Sequence, residues 1–176
     1  MSMRACTKLT LNILKLLRIS MIKIELLEQH QTDVPMLAKL WHEILGKIWA
    51  PDVSIDCVEQ KFYEHCNEDA LPLAFVAREN AQPIGMCALR ENDGIRPDLT
   101  PWLGSLMVDK RSQHHGVGQR LVDAVKVKAK TMGYDTLYLL AFDPTIPAYY
   151  ERLGWQTMGM DELKGHPVTV MMIGLS

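Results

Sequence analysis

Ile22, Ile24 and Leu26 alternate with Lys23 and Glu25, and this period of two predicts a first strand over residues 21–27. Thr32 and Asp33 then offer helix caps and Pro35 suits a first helical turn, so a helix is expected through Met36, Leu37, Leu40, Trp41, Ile44 and Leu45 toward Gly46. Ser54 is placed to cap a second helix with Val58, Phe62 and Cys66 on one side. Residues 73–78 and 83–90 read as a hairpin turning through Glu79, Asn80, Ala81 and Gln82. A polar loop over 91–101, with Asn92, Asp93, Gly94, Pro97 and Pro101, leads into an apolar strand over 102–109. The period changes to helical over 117–132, with Val117, Leu121, Val125 and Met132 inward, Lys126, Lys128 and Lys130 outward, and Gly133 as the stop. A buried strand over 136–140, a short helix or turn over 143–153 and closing strands over 155–158 and 168–173 complete the pattern. The element order is β-α-α-β-β-β-α-β-α-β-β, with no internal repeat.

Residues 1–20 stand apart. They carry Arg4, Lys8, Lys15 and Arg18 and no acidic side chain, so taking their +4 from the net −2 leaves −6 on the remainder. Asn12, Lys15 and Arg18 interrupt the apolar stretch a signal peptide requires. The expectation is a basic N-terminal extension, with Met21 a candidate start, ahead of one domain over 21–176; a basic amphipathic helix that packs on the domain or touches a membrane is the alternative. An apolar content of 48% and a charged content of 23% are ordinary globular values, and 176 residues suffice for one core. The net charge gives no reason to expect a nucleic-acid partner, and no run of about 20 apolar residues suggests a membrane span. Cys6, Cys57, Cys66 and Cys87 lack CxxC spacing, which fits free thiols in a reducing cytoplasm better than disulfides or zinc.

The candidate chemistry lies between the apolar run 102–108 and the helix that starts at Val117. Gln113, His114, His115, Gly116, Val117 and Gly118 form a polar, glycine-containing loop ahead of a helix N-terminus. Glycine lets backbone approach a ligand closely, and the first N–H groups of a helix have no acceptor within it, so an anion fits there. A Walker loop is excluded because Gln119 and Arg120 follow Gly118, and a dinucleotide fingerprint is excluded because Leu121 stands where a third glycine is needed.

What remains, Gln-x-x-Gly-x-Gly beginning five residues beyond Val108, resembles motif A of the GNAT acetyltransferase superfamily. His114 and His115 stand where that family often carries Arg or Lys. Ala148, Tyr149, Tyr150, Glu151, Arg152, Leu153, Gly154 and Trp155 look like its motif B, roughly 30 residues downstream, and the stretch 96–103 is similar to the lead-in to strand four in many small bacterial members. The resemblance covers about residues 21–176 and implies an α/β (α+β) GNAT fold, a mixed sheet of about six to seven strands flanked by about four helices.

The resemblance also implies roles. Acetyl-CoA is the expected co-substrate, with no metal. Backbone of Leu106, Met107 and Val108 would hold pantetheine, and Gln113, His114, His115, Gly116, Val117, Gly118 and Gln119 the pyrophosphate. Asp143 stands where the family often has Asn, as a further CoA contact or as a helix cap. Tyr150 would be the general acid for the departing thiolate. The base that takes the amine proton is open among Glu91, His42, Glu43 and His166, with Glu91 first because strand ends in this fold face the acceptor cleft. The acids Glu59, Glu64, Glu68, Asp69, Asp93, Asp98, Asp161 and Glu162 would suit a cationic amine if they line that cleft, and otherwise cover solvated faces. The expected activity is acetyl transfer to a primary amine of a small molecule, peptide or protein, by a monomer or homodimer. A silent CoA-binding sensor or partner module of the same fold is the alternative, and an enzyme acetylating aminoacyl-tRNA is less favoured for want of a basic patch.

Overall fold

A computed structural model describes residues 21–142 and 144–176. The expectations placed on residues 1–20 and on Asp143 therefore lie outside the described residues.

Among those residues, seven strands form one sheet in the order β1-β2-β3-β4-β5-β7-β6. They are β1 (Ile22–Leu26), β2 (Leu73–Glu79), β3 (Gln82–Arg90), β4 (Trp102–Val108), β5 (Thr136–Ala141), β6 (Gln156–Leu163) and β7 (His166–Gly174). The helices are α1 (Val34–Trp41), the short α2 (Lys47–Trp49), α3 (Ile55–Glu64), α4 (Val117–Thr131) and α5 (Ile146–Arg152). Every neighbouring pair is antiparallel except β4 with β5, which is parallel.

Alternation along the strands divides the core in two. Leu73, Ala77, Leu89, Leu103, Leu137 and Leu139 pack with Val117, Leu121, Val122, Val125 and Ala129 of α4 on one face. Ala74, Val76, Met86, Ala88 and Met107 pack with Val34, Leu37 and Ala38 of α1 and Val58 and Phe62 of α3 on the other. The Ser54 cap forms as expected, its hydroxyl accepting from the Cys57 N–H at 3.3 Å. The β2–β3 turn is the two residues Asn80 and Ala81, both left-handed (φ 51° and 63°), the geometry that matches a hairpin's twist.

The first helical region departs from expectation at Gly46. The chain continues past it through a π-helical turn (His42–Gly46) into α2. Gly46 is helical there (φ −60°), and a Cβ on it would lie 3.0 Å from the Trp41 ring. The glycine makes room for an indole; it does not stop the helix. The other departure is β6, expected to end at residue 158 but running to Leu163. Its outer position leaves most of its residues exposed, so it has no apolar period for a sequence reading to detect.

Candidate functional site

The parallel pair β4–β5 is joined only at its beginning, Trp102 opposite Tyr138 and Leu103 opposite Leu139. Beyond Leu103 the two strands part. A bulge sits at the parting point: Ala88 faces Gly104 and Met86 faces Met107, so Ser105 and Leu106 together oppose Cys87. Ser105 takes a left-handed conformation, φ 48°, uncommon for a residue with a Cβ. A bulged strand bends, and the β5-facing edge of β4 past Leu103 is left without a strand partner.

A cavity of about 860 Å3 opens at this gap. Gly104, Ser105 and Leu106 line it from β4, and Leu139, Leu140, Ala141 and Phe142 from β5 and just beyond. Trp41, Ile44 and Trp49 reach it from the first helical region, Phe62 from α3 and His65 from just after it, Ile146 and Tyr150 from α5. Trp49 meets Phe142 edge-on at 4.5 Å and His166 at 5.6 Å, tying the end of α2 to the opposite wall.

Tyr150 and Glu91, the residues expected to carry the chemistry, both line this cavity; His42, Glu43 and His166 are not among its lining residues. Tyr150 is 6% exposed, with the Trp155 ring at 5.6 Å and the Tyr149 ring at 5.2 Å. Burial above all, then Cys87 and Tyr149, pushes its phenol well above the usual range, so it stays protonated at neutral pH. Tyr149, its neighbour, is only half-buried, so Tyr150 is the deeper of the two. Of the acids considered for a cationic acceptor, only Glu64 and Asp93 are at the cavity, with the candidate base Glu91, interspersed with Lys61, Arg90 and Lys164. Asp98 pairs with Arg96 and Asp69 with Lys128 instead.

One group of cavity residues escaped the sequence reading. Arg90 Nε donates to His65 Nε2 at 3.1 Å, Nη1 to Asp93 Oδ1, and Nη2 to Ser105 Oγ. His65 Nδ1 lies 2.6 Å from the Lys61 carbonyl, which requires the proton on Nδ1 and leaves Nε2 bare to accept from Arg90. Burial first and the Arg90 charge second lower the His65 pKa to about 4, so the ring is neutral and is not a free base. No spacing rule links residues 65, 90, 93 and 105, and only folding brings them together.

The loop 113–119 continues from the far end of β4. Gln113 Nε2 donates to the Val108 carbonyl at 3.0 Å, and His115 Nδ1 lies 2.6 Å from the Gln113 carbonyl, so both side chains shape the loop itself. Gly116 is left-handed (φ 77°), and the Arg120 N–H bonds the Gly116 carbonyl at 3.1 Å to open α4. The N–H groups before it have no acceptor within the helix, and no acidic side chain stands in the first turn. A Cβ on Gly116 would meet nothing within 4 Å, and one on Gly118 only Val108, at 3.8 Å. The space above the loop is open, and its electrostatics suit an anion. The N–H groups and the open space above them therefore fit an anionic group such as a pyrophosphate. Among the described residues no group of His, Cys, Asp or Glu is placed to hold a metal ion, and no helix is long and apolar enough to cross a membrane.

The sequence matches the Acetyltransferase (GNAT) family over residues 36–155. No curated protein matches it. Among solved structures it resembles an aminoglycoside 6'-acetyltransferase type Ii, at 19% identity and TM-score 0.69, over 88% of this chain and 97% of that one. It is similar to the ribosomal-protein-S18-alanine N-acetyltransferase from Escherichia coli at 20% identity and TM-score 0.65, over 89% and 95% of the two chains. A putative acetyltransferase from Salmonella typhimurium with its cofactor acetyl-CoA shares 15% identity at TM-score 0.69, again over 89% and 95%.

Proposed function

Because this chain belongs to the GNAT acetyltransferase family, we propose that it transfers the acetyl group of acetyl-CoA directly to a primary amine seated in the cavity between β4 and β5. The observation that carries this reading is the continuity of two backbone features on one strand. The β4 edge opens after Leu103, and the same strand runs on into the loop 113–119 with its unpartnered N–H groups.

Acetyl-CoA supplies an activated thioester. The chain's part is to hold it, to hold the amine, and to move two protons. N–H groups over 113–119 take the pyrophosphate, each charge-assisted bond worth roughly 1.5–3 kcal/mol. The unpaired edge at Leu106, Met107 and Val108 takes the pantetheine as an added strand would be taken, and an N–H there faces the carbonyl oxygen as negative charge grows on it. As the N–C bond forms and the C–S bond breaks, Tyr150 donates its hydroxyl proton to the leaving sulfur. The buried phenol arrives protonated. The proton lost by the amine goes to Glu91, directly or through water, since a free alkylamine is charged at neutral pH with a pKa near ~10.4.

The cavity favours an acceptor with an apolar body. Trp41, Ile44, Trp49, Phe62 and Phe142 form much of the wall, while its charged residues are mixed in sign, so nothing there matches a polycation. The described cysteines Cys57, Cys66 and Cys87 are free thiols, in keeping with a cytoplasmic setting.

The test is release of CoA thiol, followed with a thiol reagent, from acetyl-CoA and a panel running from arylalkylamines to polyamines. Amine-dependent release, strongest with apolar monoamines, is the expected result. Binding of acetyl-CoA without release on any amine would instead make the chain a CoA-binding module.

A further inference from the structure

The backbone of Ser105 stands where the strand edge opens, and its conformation is costly. A non-glycine residue at φ 48° is strained and holds that shape only where its surroundings impose it. Three observations identify what imposes it. Arg90, opposite Trp102 at the end of β3, reaches along the sheet to bond Ser105 Oγ. Gly104 makes room for that reach: a Cβ there would lie 3.0 Å from Arg90 Nη1 and 3.1 Å from Asp93 Oδ1, so any other residue would displace the guanidinium. The guanidinium is fixed from two further sides, by Asp93 and by the bare Nε2 of His65, whose own orientation is set by the Lys61 carbonyl. The side chains of Arg90 and Asp93 are 23% and 13% exposed, so the pair is largely shielded from water.

We propose that Arg90 is a positioning residue: seated over Gly104 and tied to Asp93 and His65, it grips Ser105 and holds the β4 bulge in the shape that presents the open strand edge to the acyl and pantetheine part of the ligand. It touches neither the reacting atoms nor the phosphates; it acts through Ser105. The role rests on the acetyl-CoA reading above, and it adds a side-chain device to what is otherwise backbone recognition. The effect is confined to one part of the ligand, because the pyrophosphate is held at 113–119, beyond the far end of β4. Loss of the grip weakens the hold on pantetheine and leaves the hold on the nucleotide intact.

Calorimetric titration of the full chain with two probes tests this: acetyl-CoA, and adenosine 3′-phosphate 5′-diphosphate, which is the nucleotide half of CoA alone. Arg90→Met and Ser105→Ala are each expected to weaken acetyl-CoA binding by roughly 3- to 30-fold, and the double variant by little more than Arg90→Met, because the bond lost in Ser105→Ala is already lost there. Affinity for the nucleotide half is expected to stay within about twofold of wild type in all three, a split that a general loss of structure would not produce. Arg90→Lys, which keeps the charge but not the fork of donors, should fall between wild type and Arg90→Met. If Arg90→Met does not fold, Ser105→Ala, which deletes one hydroxyl, carries the test. Losses that add in the double variant, equal losses for both probes, or unchanged acetyl-CoA affinity in Ser105→Ala would each overturn the proposal. A wild-type chain that bound neither probe would remove the acetyl-CoA reading first, and this role with it, before any variant was made.

Discussion

The two ends of the site are built on different principles. At the loop 113–119 the recognition elements are backbone: a left-handed glycine, a helix N-terminus and open space above both. At the cavity end they are side chains brought from α5, from β3 and the loop after it, from the residue after α3, and from the bulge of β4. A backbone site needs only a short run of the right residues, because the helix supplies the donors. A side-chain site needs distant residues to arrive at the same place. The first should tolerate exchange of its non-glycine side chains, whereas the second should fail at single substitutions.

The largest expected effect is at the cavity end. Tyr150→Phe removes the proton donor and should lower kcat by about 10²- to 10⁴-fold while acetyl-CoA affinity holds, whereas Tyr149→Phe should change neither. Normal turnover by Tyr150→Phe across the pH range would mean that water protonates the sulfur, and the contrast between the two ends would lose its main support.

The loop end should respond through affinity alone. Gly118→Val is the informative change, because position 118 is helical and a Cβ there has Val108 only at 3.8 Å, so the fold accepts the branch. Losing one or two charge-assisted contacts, at roughly 1.5–3 kcal/mol each, should weaken acetyl-CoA binding by about tenfold or more with the melting temperature little changed. Unchanged affinity would remove the loop from the ligand's path.

The smallest effect concerns stability. His65 has a folded pKa of about 4 against an ordinary 6.5. Between those values the unfolded chain binds a proton that the folded chain refuses, so stability falls as pH drops through that window. The full shift corresponds to at most about 3 kcal/mol. His65→Gln, whose amide oxygen still accepts from Arg90, should flatten that acid limb in denaturant melts at stepped pH. An unaltered limb would assign the acid sensitivity to other groups.

The same contrast explains what was legible in the sequence. Strands with one buried face, such as β1, and the amphipathic α4 were readable because burial imposes a period. The outer strand β6 was not, because exposure erases one. The helix was expected only as far as Gly46, and its continuation was not legible because glycine can mark either a helix end or a close contact such as the one with the Trp41 ring. At the candidate site, Gly116 and Gly118 were expected from a glycine-containing loop ahead of a helix, and Tyr150 from the resemblance to motif B. Arg90, Asp93, His65 and Ser105 were not found as a group. The nearest signal is Gly104-Ser105 inside an otherwise apolar strand, since a glycine within a strand marks a bulge or a close approach.

On the proposed reading, the backbone of one strand and its following loop holds acetyl-CoA from thioester to pyrophosphate. Amide hydrogen exchange with and without acetyl-CoA reads that backbone directly. Protection on binding is expected at residues 104–108 and 113–119, with none at the hairpin turn of Asn80 and Ala81, which is not among the cavity-lining residues. Binding that left both protected stretches exchanging as in the free protein would contradict it.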